Sequence, residues 1–92
     1  MLTRVNNDKN GNPRYVCHFL DLLNDREKEM AEQYPSRLST IDVMYKMAIS
    51  KARMIGGRKF HNKKYGGGIA FQSFSITDLE KLIYELKLKT IV

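Results

Sequence analysis

The sequence predicts an α+β fold of order ββαββα: a four-stranded antiparallel sheet with two helices on one face. Three observations carry this. Two apolar runs at helical spacing each open on a serine followed three residues later by an aspartate, Ser39 with Asp42 and Ser75 with Asp78. Two pairs of short β-prone runs flank clusters of turn-forming residues at 6–13 and 63–67. At 92 residues the chain also suffices for one modest core, so a single domain spans 1–92.

Taken in order, residues 2–7 form a short, partly polar strand. Asn6-Asn7-Asp8-Lys9-Asn10-Gly11-Asn12-Pro13 concentrates residues that favour turns. A second strand, 14–22, is rich in aromatic and branched side chains (Tyr15, Val16, Phe19, Leu20). Residues 23–38 are charged; 25–32 could form a turn or two of helix, but no apolar stripe supports it, so the segment reads as an acidic surface connection that ends at Tyr34-Pro35. A helix is expected at 40–55, where Ile41, Met44, Tyr45, Ala48, Ala52 and Ile55 share a face and Gly56-Gly57 supplies the stop. Strands at 58–62 and 68–74 follow, joined by a glycine-bearing tip. A last helix at about 76–89 presents Ile76, Leu79, Leu82, Ile83 and Leu86 on one side.

This order is what remains when the last strand of a ferredoxin-like βαββαβ fold is moved to the front. The most apolar strands, 14–21 and 68–74, then take the central places. The polar 2–7 and the basic 57–62 take the edges, where exposed backbone is best guarded by charge.

Charge is strongly segregated. Residues 1–45 hold six basic and seven acidic side chains, a net of −1; residues 46–92 hold ten and three, a net of +7. Between Asp42 and Asp78 there are 35 residues without a carboxylate. Such a field draws polyanions before anything else. The expected contact surface is the second hairpin with the adjoining helix end. Lys51, Arg53, Arg58, Lys59, Lys63 and Lys64 would supply charge to DNA or RNA backbones. Tyr65 and His61 would supply stacking or hydrogen bonds. The plainer account is that these cations complement a helix C-terminus and keep an edge strand soluble.

Gly68-Ile69-Ala70-Phe71-Gln72-Ser73-Phe74 resembles the central-strand motif of RNA-recognition domains, departing from it at Ile69 and Gln72. Were the likeness to hold, Phe71 and Tyr15 would face outward as stacking platforms; a place in the core is the expectation instead. Met47 and Met54 lie beside the main helical stripe, where they would thicken a partner-facing patch.

No catalytic constellation is visible. Cys17 and His18, as strand neighbours, point to opposite faces and cannot share a metal. Gly66-Gly67-Gly68 lacks the lysine-hydroxyl pair of a phosphate-binding loop and leads into a strand. Neither an enzyme nor a cofactor is expected. One cysteine, no long apolar run and no signal-peptide block point to a cytoplasmic protein without a membrane anchor.

Asn10-Gly11-Asn12-Pro13-Arg14-Tyr15-Val16, Gly56-Gly57-Arg58-Lys59-Phe60 and Tyr65-Gly66-Gly67-Gly68-Ile69-Ala70-Phe71-Gln72-Ser73 together resemble a group of small proteins from bacteriophages and mobile elements of gut bacteria. The resemblance implies a cytoplasmic phage or plasmid accessory setting and brings no activity with it. In that setting a non-enzymatic nucleic-acid-binding protein is the leading expectation. The alternative is a module that occupies an acidic surface of a host protein.

Overall fold

A computed structural model describes residues 2–35, 37–62, 66–72 and 75–90, with backbone placement alone at 61, 62, 66 and 67. Strands β1 (Thr3–Val5), β2 (Arg14–His18), β3 (Arg58–Asn62) and β4 (Gly66–Gln72) form one antiparallel sheet in the order β1-β2-β4-β3. Helices α1 (Asp25–Gln33), α2 (Thr40–Arg53) and α3 (Ile76–Leu88) complete the described fold, with a 3-10 turn at Phe19–Leu22. As expected, β2 and β4 are central, and β1 and β3 form the edges.

Register sorts the side chains onto two faces, because directly opposed residues of an antiparallel pair share a side. Cys17 lies opposite Ile69, and Tyr15 opposite Phe71. Cys17, Ile69 and Phe71 are buried in one core with Met44, Ala48 and Ala52 of α2, Ala31 of α1, and Leu79 and Leu86 of α3. All three helices therefore serve one face of the sheet. Each fully buried large apolar side chain there contributes about 1.5–3 kcal/mol.

Both serine caps form: Ser39 Oγ accepts from the Asp42 N–H, and Ser75 Oγ from the Asp78 N–H, each at 3.2 Å. Helix α2 stops where Gly56 adopts φ +79° and the Gly57 N–H reaches back to the Ala52 carbonyl at 2.8 Å. Gly57 has a second constraint. A Cβ placed there would fall 2.6 Å from Phe71 Cε1 and 2.8 Å from Ala52 Cβ. Helix α2 can thus dock on the sheet at its chosen depth only with no side chain at 57. In the first turn, Asp8 Oδ1 accepts from the Asn12 and Asn10 N–H groups at 2.9 Å, holding that carboxyl below its usual range.

Several expectations are corrected. The second strand ends at His18 rather than Leu22: His18 Nδ1 accepts the Leu20 N–H at 3.2 Å and starts the 3-10 turn, which brings Phe19, Leu22 and Leu23 into the core. At the ends of the long stripes, Ile41 and Ile76 prove exposed. Strand β4 begins at Gly66, two residues before the expected start.

The larger correction concerns 23–38, which contains a helix instead of an acidic surface connection. Asn24 and Glu27 form a complete capping box. Helix α1 lacks an apolar stripe because one of its buried positions is a charge. Glu27 is fully buried, and its Oε1 stands 2.6 Å from Nζ of the equally buried Lys51 on α2. Around this pair, the Asn24 N–H donates to Glu27 Oε1 at 3.1 Å. The Lys87 carbonyl at the end of α3 accepts from Asn24 Nδ2 at 2.8 Å and from Lys51 Nζ at 3.4 Å. One polar hub thereby joins α1, α2 and α3.

Four measurements check this packing. Lys51→Met alone leaves a buried carboxylate without its cation and should destabilise the protein by about 3–5 kcal/mol in urea unfolding. Pairing it with Glu27→Leu should recover most of that loss, because no ion then remains to desolvate. Gly57→Ala should cost about 1–3 kcal/mol by overpacking, read as a lower urea midpoint at constant slope. Burial, with a smaller contribution from Asp21, pushes the Cys17 thiol up to about 12. Alkylation at pH 8 should therefore leave Cys17 unlabelled until denaturant is added.

Candidate nucleic-acid interface

Of the residues expected to bind a polyanion, four have described side chains, and three of these reach solvent as required. Arg53 is exposed on the last turn of α2, and Arg58 and Lys59 are exposed at the start of β3. Among the described residues none of the three pairs with a carboxylate; the described ion pair is that of Lys51 with Glu27. Arg58 and Lys59 diverge by strand alternation. Arg58 lies opposite Ala70, on the face without helices. Lys59 lies opposite Ile69, and its Nζ stands 5.7 Å from the centroid of the Tyr45 ring on α2.

Lys51 is withdrawn from this set. It is fully buried and committed to Glu27, so it offers no charge to a ligand. The helical spacing that suggested a place near Arg53 is right. Its side chain instead points between α1 and α2, toward a carboxylate 24 residues upstream. His61 occupies β3 with its backbone opposite Gly67. The expected contributions of Lys63, Lys64 and Tyr65 lie outside the described residues.

Phe71 and Tyr15 are not outward platforms. Phe71 is fully buried, and Tyr15 packs against the same core. Cys17 and His18 do separate across the sheet: the thiol is buried, while the exposed imidazole stacks on Phe19 at 4.5 Å between centroids. Met54 is 63% exposed beside Arg53, whereas Met47 packs partly against the core.

Sequence reasoning missed the residues that register adds to Arg58. Arg14 lies opposite Gln72, and Phe60 opposite Gly68, so all four share the helix-free face with Arg58 and Ala70. The Arg14 guanidinium stands 5.7 Å from the centroid of the Phe60 ring. Its Nε donates to the Asn6 carbonyl at 2.9 Å, which fixes the fork. Arg14, Arg58, Phe60, Ala70 and Gln72, together with Gly56 and Lys59, line a cleft of about 120 Å³. The available signal was strand alternation, but it becomes usable only once β2 and β4 are known to be neighbours.

A second cleft, of about 240 Å³, lies beside α3 and is lined by Leu2, Cys17, Asp21, Glu80, Ile83, Tyr84 and Lys87. Its two carboxylates against one ammonium give it no preference for polyanions. Among the described residues no helix is long and apolar enough to cross a membrane.

A model of the family described as Staphylococcus phage terminal repeat-encoded protein TreK matches residues 1–91. No curated protein and no solved structure matches the chain. The phage association implied by the hairpin and its flanking motifs is thus shown over almost the full length. The chain belongs to the Staphylococcus phage terminal repeat-encoded TreK family.

Proposed function

We propose that this protein is a non-enzymatic, cytoplasmic nucleic-acid-binding accessory factor of the phage. The β3–β4 hairpin and the adjoining end of α2 form its phosphate-contacting surface. The observation that carries this reading is that Arg53, Arg58 and Lys59 are exposed without carboxylate partners among the described residues. Lys63 and Lys64, between the paired ends Asn62 and Gly66, add two charges to the same hairpin. Between residues 53 and 64 the chain thus carries five cations, and cations that meet a phosphate backbone release its counterions, the term that dominates nonspecific affinity. The strand order also supports the finer fold proposal, a ferredoxin-like sheet whose last strand has moved to the front.

A second reading draws on Met54, a large apolar side chain exposed beside Arg53. An acidic surface on a host protein, with an apolar spot for Met54, would suit the same end of α2. Capture of a stoichiometric protein partner from nuclease-treated host lysate would favour it.

Titration with short DNA and RNA at several ionic strengths tests the first reading. If the five cations engage phosphates, log affinity should fall against log salt with a slope of roughly −3.5 to −4.5. Arg58→Glu combined with Lys59→Glu should weaken binding at least about tenfold at low salt while leaving the melting temperature near wild type. Unchanged affinity in that variant would remove this surface from the account.

A further inference from the structure

We infer that the cleft lined by Arg14, Arg58 and Gln72 is a binding site for one phosphate monoester, the end group of a nucleic-acid strand or of a small phosphorylated molecule. This site shares Arg58 with the proposed phosphate-contacting surface and goes beyond it, since Arg14 and Gln72 belong to the site alone.

Arg14 and Arg58 come from the two strands that flank β4, and both line the cleft of about 120 Å³ with Gln72 of β4. Like charges brought to one cleft repel unless an opposite charge enters. Among the described residues neither arginine has a carboxylate partner, and the described strand positions on this face carry no acid. The Asp8 carboxylate, which feels Arg14 from the first turn, is engaged by the Asn10 and Asn12 N–H groups at 2.9 Å. Arg14 is held by other means. Its Nε donates to the Asn6 carbonyl at 2.9 Å, and its guanidinium stands 5.7 Å from the centroid of the Phe60 ring. Phe60 therefore backs the cation and is not itself a ligand contact. These contacts use Nε and one face of the guanidinium, and among the described residues no acceptor takes its terminal nitrogens.

Size and charge select the ligand. Pockets that hold whole small molecules run to about 300–1,000 Å³, so a cleft this small suits a single phosphate group. A guanidinium fork binds two phosphate oxygens through parallel hydrogen bonds, and the Gln72 amide adds a donor. A phosphate monoester has a second pKa of about 6, so near neutral pH it carries almost two negative charges on three acceptor oxygens. An internal diester carries one charge and is flanked by sugars on both sides. Two arginines match the monoester in charge, and a terminal group enters a small cleft end-on.

Fluorescence anisotropy tests this with a single-stranded DNA oligonucleotide prepared with and without a terminal phosphate and labelled at its other end, in phosphate-free buffer. The phosphorylated strand should bind about tenfold tighter, through added charge-assisted hydrogen bonds. Arg14→Lys keeps the charge without the planar fork and should remove that difference, while affinity for the unphosphorylated strand stays within about twofold. Should Arg14→Lys fail to fold, Gln72→Glu sets a carboxylate in the cleft and should show the same loss. Inorganic phosphate, with chloride at equal ionic strength as reference, should raise the melting temperature of the wild type and not of the variant. Equal affinity for two strands that both bind, or an undiminished difference in a folded Arg14→Lys, overturns the inference and leaves the charge-based surface standing. A phosphate-dependent rise in melting temperature, lost in Arg14→Lys, without binding of either strand overturns the nucleic-acid reading and identifies a small phosphorylated molecule as the source. Neither strand binding nor such a rise overturns both.

Discussion

The buried contact between Glu27 and Lys51 is the constraint on which the arrangement of the helices depends. Helix α1 has little apolar surface of its own, and isolated helices of nine residues are not stable in water. What places α1 is a carboxylate that must find a cation once water is excluded. Desolvating each ion costs several kcal/mol, which close approach and further hydrogen bonds offset. Here Asn24 and the Lys87 carbonyl provide those bonds, so the requirement that seats α1 also fixes the end of α3.

That contact also redraws the electrostatics. The half of the chain with net charge +7 delivers one of its cations inward, and the acidic half delivers the carboxylate that meets it. Charge segregation along a sequence is thus partly undone where the two halves pack. The cations that remain exposed at the end of α2 and the start of β3 lie on a turn whose path is set by Gly56 and Gly57. Backbone freedom and close packing at those glycines decide where the field emerges.

Strand alternation sorts the side chains of the sheet onto two different faces. On one side Cys17, Ile69 and Phe71 close against helices; on the other, Arg14, Arg58 and Phe60 are left around a cleft. A one-residue slip in register would exchange the two sets and place arginines in the core, so burial of the first set enforces presentation of the second.

Much of this was legible along the chain. Serine caps with an aspartate three residues on, apolar spacing and glycine stops are local signals, and they set α2 and α3 nearly to the residue; element order together with strand polarity assigned the edge and central strands. Helix α1 was illegible because hydrophobic periodicity cannot register a helix whose inward position is Glu27. The exposed cations Arg53, Arg58 and Lys59 were readable from sequence, but the burial of Lys51 and the meeting of Arg14 with Phe60 were not. Those depend on which segments become neighbours across dozens of residues. The sequence by itself determined the elements and the sign of the charge, since both follow from interactions within a few residues. Only the tertiary structure decided which charges face water and which side chains share a face, because desolvation and strand register are properties of contacts between distant segments.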